Sequence, residues 1–544
     1  MNKKKLHLFN FVILCMIFMV SGCKNSDQGI ENSNREEEIV QTVEEPGWKS
    51  KASDPITLDW YINFSWYTTT WGKNLVSKEI TKETGVNINF IVPTGNEADK
   101  LNSMIASDTL PDLITLGWWE AQVQELPKKD LVYALNELAD KYDPYFYKVA
   151  DGQIIDWHKN ADGNLYSYPS SSLSPKDYET HNIGSNQNFL VRKDIYEAIG
   201  SPDMTTPEGF IDACKKAMVY SPKVNDKPLI PVGSDEFNAH GCTSFDKILQ
   251  NFLAVPYEKD GKFYDRYTDP EYIRWLKTFR KLNEMGYLGE EIFIDKRMQL
   301  EEKMAEGRYF CLLYQGSDIQ TSQKTLYRND PDKIYIAVDG PKNLEGEDPI
   351  LPSTGLNGWT VTFISKNCKH PDRAIQFLSY LISEHGQKMT YLGVEGATYD
   401  IIHGKPVMKP EVLKLLNTDR TRFDETYGAD NAYWMLQNNV MQFKWGSNER
   451  EPMAQLREWT YPYAAYTGQY DIVFENETEI ANAYSQIENE WGIVLPKLIL
   501  SSSEAEFDSI FEEFKRKRDT LNYDKILEEA TKQMNEQKKK LDLE

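Results

Sequence analysis

The feature that most constrains this chain is a run of alternating strand and helix patterns near its beginning. Three strand-like segments alternate with two helical ones, at residues 56–61, 75–84, 86–92, 97–106 and 113–116. Such a β-α-β-α-β series places its strands side by side in a parallel sheet with helices on both faces. The chain is therefore predicted to be an α/β protein with a doubly wound, mainly parallel sheet.

The last strand of this series is followed directly by two adjacent aromatic residues. Residues 113–116 are mostly apolar, which is typical of a strand buried on both faces. Gly117, Trp118, Trp119 and Glu120 follow directly, and ligands of open α/β sheets bind outside the carboxyl ends of the strands. We expect the two Trp residues to form a ligand platform. The alternative is that one indole packs inward and the other covers a helix.

A second aromatic loop follows the first strand. It contains Asn63, Trp66 and Trp71 among several hydroxyl-bearing residues. Because parallel strands end at a common sheet edge, this loop and Trp118–Trp119 are expected to open on the same side of the sheet.

Length and charge restrict the class of protein. With 544 residues, the chain is expected to form two to four domains. Its formal net charge of −23 argues against a nucleic-acid partner, which requires a basic patch over phosphates, and against a polybasic membrane contact.

The N-terminus carries the layout of an export signal. Three Lys residues precede an apolar run at residues 9–20, which is too short to span a bilayer comfortably. The run ends in Val-Ser-Gly-Cys, which resembles the lipobox of bacterial lipoproteins. We therefore expect residues 1–22 to be removed, Cys23 to receive a diacylglyceryl group, and residues 23–50 to form a disordered tether. An ordinary secretory signal is the alternative.

Four Cys residues remain in the body of the chain: Cys214, Cys242, Cys311 and Cys368. Their spacing fits no zinc pattern, and four residues allow three disulfide pairings. Buried thiols are favoured, although an exported protein could oxidise them.

No recognisable catalytic motif is present. The sequence contains no G-x-S-x-G, H-E-x-x-H, Walker or G-x-G-x-x-G pattern. A glycosidase needs two carboxylates about 5–9 Å apart, and no such pair lies in a catalytic motif. These observations favour a binding protein over an enzyme.

Several motifs, taken in order, resemble the extracellular solute-binding protein family 1, the lipoprotein receptors of ABC sugar importers. The similarity spans roughly residues 55–535 and is carried by residues 85–88, 110–114, 189–194, 205–210, 307–309, 371–374 and 393–399. The last motif is typical of the large Gram-positive branch, whose members bind oligosaccharides.

The resemblance implies two α/β lobes with a ligand cleft between them. The chain is expected to cross between lobes near residues 168–169 and again near residues 352–357. Lobe one then comprises residues 51–169 plus 353–400, and lobe two comprises residues 170–352 plus 401–544.

A sugar binder needs flat aromatic surfaces for C–H faces and polar groups for hydroxyls. The predicted ligand-binding residues are Asn63, Trp66, Trp71, Trp118, Trp119, Glu120, Asp235, Glu236, Phe237, Tyr314, Gln315, Asn357 and Trp359. Trp434 and Trp445 are further candidates, for which packing against a helix is the favoured interpretation.

Some relatives carry a calcium loop after the helix that begins near Pro207. Residues 221–228 lack its alternating oxygen ligands and its turn glycine, so no metal is expected there.

The predicted function is a lipid-anchored, extracellular and monomeric binding protein that captures an oligosaccharide and delivers it to an ABC transporter permease. A surface lipoprotein enzyme acting on glycans is the alternative. A peptide or a charged oligosaccharide is a third possibility for the ligand. The acidity of the chain disfavours a highly anionic ligand unless Arg or Lys side chains line the cleft locally.

Overall fold

The first of two sheets is built around the strand of residues 113–116. In the computed structural model, which describes residues 45–446 and 449–543, this sheet has five strands. Their order is Val86–Ile91, Ile56–Ile62, Leu113–Gly117, Thr360–Ile364 and Ser167–Pro169. The first three are parallel, and Thr360–Ile364 runs antiparallel to both of its neighbours. The three predicted strands are thus confirmed.

The central strand Leu113–Gly117 is buried along its whole length. Leu113 packs into the core on one face, whereas Ile114 and Leu116 pack into the core on the other. Thr115 is buried as well; its hydroxyl accepts a hydrogen bond from Trp60 Nε1 at 2.8 Å. Two-sided burial explains why the strand is apolar throughout, and why its one polar side chain is hydrogen-bonded.

The second sheet has four strands, in the order Tyr335–Ala337, Gln187–Arg192, Tyr309–Gln315 and Ile230–Gly233. Tyr309–Gln315 is parallel to Ile230–Gly233 and antiparallel to Gln187–Arg192. Each sheet therefore contains one strand that runs opposite to the others, so both sheets combine parallel with antiparallel pairs. The predicted α/β fold is confirmed, with mixed rather than mainly parallel pairing. Helices flank both sheets, and each sheet is the centre of one lobe.

The helices of the described residues before the second sheet and within its lobe are Gly47–Ser50, Leu75–Thr84, Glu97–Ala106, Gln122–Lys128, Leu135–Tyr142, Phe146–Val149, Gly152–His158, Pro175–Thr180, Lys193–Ala198, Pro207–Tyr220, Leu249–Phe252, Pro270–Glu284, Arg297–Ala305 and Gly316–Asn329. Those nearer the C-terminus are Pro371–Ile382, Glu384–Tyr391, Pro410–Thr418, Arg420–Thr426, Asn439–Phe443, Met453–Thr460, Glu479–Leu500, Glu504–Thr520 and Tyr523–Lys540.

Four short two-stranded sheets and several irregular turns complete the structure. The paired strands are Lys223–Val224 with Lys227–Pro228, Glu258–Lys259 with Lys262–Phe263, Leu351–Pro352 with Ala464–Ala465, and Tyr399–Ile402 with Lys405–Met408. A π-helical turn spans Ser244–Ile248, and 3-10 turns span Arg266–Thr268, Glu290–Phe293, Trp434–Leu436, Tyr461–Tyr463 and Gly468–Tyr470.

The chain passes between the two lobes at the places where the sheets exchange strands. It leaves the first sheet after Pro169 and enters the second at Gln187, then returns between Ala337 and Thr360. The second predicted crossing, at residues 352–357, lies within the return connection, and the first, at residues 168–169, lies at the end of the strand that precedes the outgoing connection. The exact lobe boundaries remain a prediction.

The prediction for residues 401–544 is wrong in part. Met408, Val412, Phe423 and Trp434 pack in the core of the first lobe rather than the second. Polar contacts hold the same segment there, since Asn74 Nδ2 donates to the Tyr433 hydroxyl at 2.7 Å. The helices Glu479–Leu500 and Glu504–Thr520 pack instead in the core that surrounds the second sheet.

The predicted tether is shorter than expected at its C-terminal end. Trp48 in the helix Gly47–Ser50 is buried, and its ring meets those of Tyr145 and Tyr380 at 5.2 and 5.4 Å. A buried indole anchors this segment to the first lobe. The predicted lipidation site Cys23 and the signal peptide lie outside the described residues.

Two further features concern export and redox state. In the part of the chain that the structure describes, no helix is both long and apolar enough to cross a bilayer. Cys214, Cys242, Cys311 and Cys368 are buried free thiols.

Candidate functional site

The carboxyl edge of the first sheet brings together residues from three distant parts of the chain. Asn63 follows the first strand, Glu120 follows the central strand, and Trp359 precedes the antiparallel strand. Asn63 Nδ2 donates to Glu120 Oε2, and the Trp118 backbone N–H donates to the Trp359 carbonyl at 3.4 Å. The expectation that the two aromatic loops meet at this edge is therefore confirmed.

Glu120 is held in a desolvated position at this edge. Its Oε1 accepts from the Gly117 N–H at 2.7 Å. Burial raises the pKa of Glu120 to about 7, although the hydrogen bonds from Gly117 and Asn63 act in the opposite direction. Asn63 in turn accepts from the Tyr61 hydroxyl at 2.7 Å and is almost fully buried. The polar groups of Asn63 and Glu120 are thus hydrogen-bonded to each other and to neighbouring residues of the same sheet edge.

Three indoles form what we call the tryptophan cluster: Trp66, Trp359 and Trp434. Trp66 stacks on Trp359 with 6.1 Å between ring centroids and 9° between planes. Trp434 lies 4.5 Å from Trp359 and 5.7 Å from Trp66. Trp66 is 49% exposed, whereas Trp434 is 8% exposed. The cluster is an aromatic surface in which Trp434 is buried and Trp66 is exposed.

The adjacent residues Trp118 and Trp119 have different environments. Trp118 continues the face of Ile114 and Leu116 and packs partly against the same core. Trp119 is 53% exposed, and its ring lies edge-to-face against Trp118 at 6.1 Å. The Trp119 ring also covers Gly117, where an added Cβ would lie 2.6 Å from Cζ2. Trp119 is thus the accessible member of the pair.

Three of the predicted ligand-binding residues are core residues instead. Trp71 is buried against Tyr433 at 4.7 Å and donates from Nε1 to Thr81 Oγ1 at 2.9 Å. Phe237 packs against Phe293 at 4.8 Å. Tyr314 is 1% exposed, and burial raises the pKa of its hydroxyl. Residues distant in sequence cover each of these side chains, so none of the three lies on an open surface in this structure.

One member of the predicted acidic pair of the second lobe, Glu236, is engaged by a cation. Glu236 forms an ion pair with Lys296 at 2.6 Å and accepts from the Arg297 N–H at 3.1 Å. Asp235 is partly buried, and burial raises its pKa. Both residues lie at the edge of the second sheet, directly after the strand Ile230–Gly233.

Gln315 connects this sheet edge to the interlobe connection. It accepts from Asn186 Nδ2 at 3.0 Å and donates to Asp318 Oδ2 at 3.3 Å. Asn357 lies in the return connection, where it accepts from Trp157 Nε1 at 2.8 Å and donates to Asp471 Oδ2 at 3.2 Å. Burial raises the pKa of Asp471 to about 6. Asn357 therefore links two segments rather than facing an open surface.

A cavity of ≈ 790 Å³, the larger cavity, lies between the lobes. Its wall includes the first interlobe connection, the start of the helix Gly316–Asn329 and parts of the segments 437–446 and 449–461. Side-chain amides dominate this wall: Asn182, Asn186, Asn188, Gln320, Asn417, Asn431, Gln437, Asn439 and Gln442. An amide both donates and accepts hydrogen bonds, as a sugar hydroxyl does.

Some of these amides have hydrogen-bond partners within the protein, whereas at least one has an oxygen atom without such a partner in the described part of the chain. Asn431 and Gln442 exchange hydrogen bonds at 3.0 and 2.8 Å. Asn188 is 1% exposed, and its Oδ1 has no hydrogen-bond partner among the described residues. A ring pair, His181 and Phe443 stacked at 4.9 Å, adds an apolar surface to the same wall.

A second cavity of ≈ 460 Å³, the smaller cavity, adjoins the first. Trp66 and Trp434 of the tryptophan cluster line one side, and the helix Gly316–Asn329 lines the other. Gln320, Lys324 and Asn431 line both cavities. Of the thirteen predicted ligand-binding residues, Trp66 lines one of these two cavities.

Sequence reasoning missed the amide wall, although a signal for it exists. Residues 181–188 read H-N-I-G-S-N-Q-N and residues 437–442 read Q-N-N-V-M-Q. Both are amide-rich segments beside interlobe connections. They could have been proposed as a sugar-binding surface by the same chemical argument that selected the aromatic residues.

The segment corresponding to a calcium loop forms a tight hairpin. Lys223–Val224 pairs with Lys227–Pro228, and the turn residues Asn225 and Asp226 have positive φ angles of 48° and 63°. Over residues 45–446 and 449–543, no group of three or more His, Cys, Asp or Glu side chains is placed to hold a metal ion.

Comparison with known proteins shows which proteins this chain resembles. No family model matches the chain. The polygalacturonan/rhamnogalacturonan-binding protein YtcQ of Bacillus subtilis is 21% identical over 520 residues, which are 92% of this chain and 91% of YtcQ. Lipoprotein LipO of Bacillus subtilis is 22% identical over 340 residues, which are 60% of this chain and 64% of LipO.

A solved structure has the same fold. The Streptococcus pneumoniae ABC-transporter substrate binding protein FusA, in complex with kestose, matches with a TM-score of 0.69 at 16% identity, covering 88% of this chain and 99% of that chain. The described residues of this chain thus share the two-lobe fold of that solute-binding protein. The sequence similarity to YtcQ and LipO agrees with the resemblance to the extracellular solute-binding protein family 1.

Proposed function

We propose that this protein is a monomeric, lipid-anchored extracellular receptor that captures an oligosaccharide between its lobes and delivers it to an ABC transporter permease. One observation carries the proposal. The tryptophan cluster borders the smaller cavity, and this cavity adjoins the amide wall of the larger one. This combination suits a ligand with flat C–H faces and a rim of hydroxyl groups.

The dimensions of the cleft favour an oligosaccharide over a single sugar. Pockets for small ligands span about 300–1,000 Å³. The two cavities, ≈ 790 and ≈ 460 Å³, each fall within that range and share Gln320, Lys324 and Asn431. A ligand of several units can therefore contact the amides and the tryptophan cluster at once.

The relatives support the transport role. YtcQ is described as a polygalacturonan/rhamnogalacturonan-binding protein, and FusA as an ABC-transporter substrate-binding protein that holds kestose. These relatives are binding proteins. Closure of the lobes around the sugar would present both lobes to a permease in a ligand-dependent geometry.

A thermal-shift screen of purified protein against a broad oligosaccharide library tests the binding role. A ligand that binds only the folded state stabilises it by RT ln(1 + [L]/Kd), about 2.7 kcal/mol at a hundredfold excess over Kd. We expect at least one saccharide to raise the unfolding temperature. If none does, the binding proposal fails. Incubation of each hit with the protein, followed by product analysis, separates reversible capture from the alternative of glycan turnover.

The anchor is tested separately by fractionation of cells. LipO is a lipoprotein, and the Val-Ser-Gly-Cys sequence of this chain ends at Cys23. Stable attachment needs two lipid signals, which a diacylglyceryl group supplies in its two chains. We expect Cys23→Ala to release the protein from the membrane fraction with unchanged ligand affinity. Retention of the variant in membranes would contradict lipid anchoring at this residue.

A further inference from the structure

One face of the helix Gly316–Asn329 carries a row of polar and cationic side chains. Gln320, Lys324 and Arg328 are spaced by four residues, so they lie on the same face of the helix. All three line the smaller cavity opposite the tryptophan cluster, and Gln320 and Lys324 also line the larger cavity. A ligand that passes from one cavity to the other must pass this row.

Neither cation in this row has an anionic partner. The Lys324 Nζ donates to the Leu416 carbonyl at a distance of 3.5 Å. Arg328 donates from Nη1 to the Thr418 carbonyl at 2.9 Å and from Nη2 to Thr325 Oγ1 at 3.3 Å. Among the described residues, no carboxylate lies within ion-pair distance of either side chain. Both cations thus retain donors for a ligand.

The acidic residues nearby are already engaged. Asp424 and Asp430 form ion pairs with Arg420 at 2.9 and 2.8 Å. Glu449 forms an ion pair with Arg457 at 3.6 Å. These contacts leave Lys324 and Arg328 as the two cations lining the cavities that have no ion-pair partner among the described residues.

Asp419, the remaining acid of the smaller cavity, has a structural role. Its Oδ1 accepts from the Arg422 N–H at 3.0 Å and caps the helix Arg420–Thr426. The smaller cavity has three cations against two acids, Asp419 and Asp424, a formal balance of 3 − 2 = +1. The whole chain, by contrast, carries −23. The larger cavity is lined by two cations, Lys324 and Arg457, and two acids, Asp430 and Glu449, so the excess positive charge lies on the side of the smaller cavity.

The partial burial of Lys324 disfavours the charged form of its side chain when no ligand is bound. Burial lowers the pKa of its ammonium group, and the nearby charge of Arg420 acts in the same direction, whereas the carboxylates of Asp430, Glu449 and Asp424 act in the opposite direction without cancelling the shift. A partly buried cation is stabilised when an anion and further hydrogen bonds replace the lost water. A negatively charged ligand group at the cavity junction supplies that replacement.

We propose that the oligosaccharide is acidic, and that Lys324 and Arg328 together bind one of its anionic groups, a carboxylate or a sulfate ester, at the junction of the two cavities. This inference rests on the proposed function. It narrows the ligand to saccharides in which a charged unit is flanked by units that contact the tryptophan cluster and the amide wall.

Calorimetric titration of matched probes tests the inference. The probes are a galacturonate oligosaccharide with its fully methyl-esterified form, a sulfated oligosaccharide with its unsulfated parent, and any charged library hit with its neutralised form. Each is titrated against the wild type, Lys324→Gln, Arg328→Gln and Lys532→Gln. Lys532 is an exposed residue on the helix Tyr523–Lys540 that pairs with Glu529, and it lines neither cavity.

We expect one charged probe to bind the wild type at least tenfold more tightly than its neutral partner. Lys324→Gln should lose at least tenfold in affinity for that probe, with a smaller loss for Arg328→Gln and none for Lys532→Gln. The responding pair identifies the group as carboxylate or sulfate. Thermal unfolding of each variant confirms that the loss is not due to misfolding.

Two results would overturn the inference and leave the proposed function intact: equal affinity of Lys324→Gln and the wild type for the charged probe, or a best ligand that is neutral. If no saccharide of any kind stabilises the protein, the proposed function fails and this inference fails with it.

Discussion

The indole of Trp66 stacks on the indole of Trp359, with 9° between the ring planes. Trp66 belongs to the loop after the first strand, whereas Trp359 belongs to the connection that returns from the second lobe. The tryptophan cluster thus forms only because the chain returns to the first sheet. A change in the path of the return connection would therefore also change the position of Trp359 in the cluster.

Trp66→Ala should weaken ligand binding by about 2 kcal/mol or more, as truncation of an aromatic hot spot does. The free energy of unfolding should change little, because Trp66 is 49% exposed. Trp71→Ala is the matched control from the same loop. Its indole is buried, so we expect a loss of roughly 3–5 kcal/mol in stability with normal affinity of the folded fraction. Calorimetry measures the ligand affinity and denaturant unfolding measures the stability of each variant. A loss of stability in Trp66→Ala together with a loss of affinity in Trp71→Ala would contradict the assignment of Trp66 to the binding surface and Trp71 to the core.

Trp119→Ala and Trp118→Ala should separate a surface role from a core role. Trp119 is exposed at the sheet edge, so its removal should weaken ligand binding and leave stability within about 1 kcal/mol. Trp118 packs against the core of the first lobe, so its removal should cost more stability. The same two measurements apply. Unchanged ligand affinity of Trp119→Ala would place this residue outside the binding surface.

Glu120 should make stability depend on pH. Burial raises its pKa to about 7 from an ordinary value of 4.5, so the folded state retains a proton that the unfolded state releases. The contribution of Glu120 is therefore most favourable below pH 4.5 and declines as the pH rises towards 7, by at most about 1.4 kcal/mol per pH unit. Glu120→Gln should remove this decline. Denaturant unfolding between pH 4.5 and 8 tests it, and parallel curves for the two proteins would refute it.

Asn357→Asp should destabilise the protein more at pH 8 than at pH 5. The substitution places a second carboxylate where an amide donates to Asp471 Oδ2 at 3.2 Å. Two charges at about 4 Å repel by roughly 1–4 kcal/mol near a protein surface. The double variant Asn357→Asp with Asp471→Asn restores a donor and an acceptor, and it should recover most of the loss. Equal destabilisation in the single and double variants would show that charge repulsion is not the cause.

Local sequence patterns were sufficient for most of the secondary structure. The cap at Thr206 is an example of such a pattern, because its hydroxyl accepts from the Gly209 N–H at 3.1 Å with Pro207 in the first turn. Ser503 likewise accepts from the Glu506 N–H at 3.2 Å. Such contacts join residues only a few positions apart, so the sequence displays both partners together.

The same reasoning could not sort the aromatic residues. Trp66 and Trp71 lie in one loop of similar composition, yet Trp66 lines a cavity and Trp71 is buried against Tyr433, Phe90 and Phe377. Those covering residues come from other strands and helices. Whether a side chain reaches solvent depends on what packs over it, and a single sequence does not state which distant segment that is.

The sequence by itself determined the parallel strand series, the two-lobe architecture through its family resemblance, and the chemical class of side chain that a sugar site requires. The tertiary structure decided which of those side chains face the cleft and which segment joins which lobe. Residues 408–436 remain in the first lobe after the chain has returned there between Ala337 and Thr360. Trp434 therefore packs against Trp66 and Trp359, and Asn431 lines both cavities together with Lys324. The physical reason is that helices and caps arise from contacts within a few residues, whereas the cleft is made of contacts between segments hundreds of residues apart, chosen by the burial of whole surfaces.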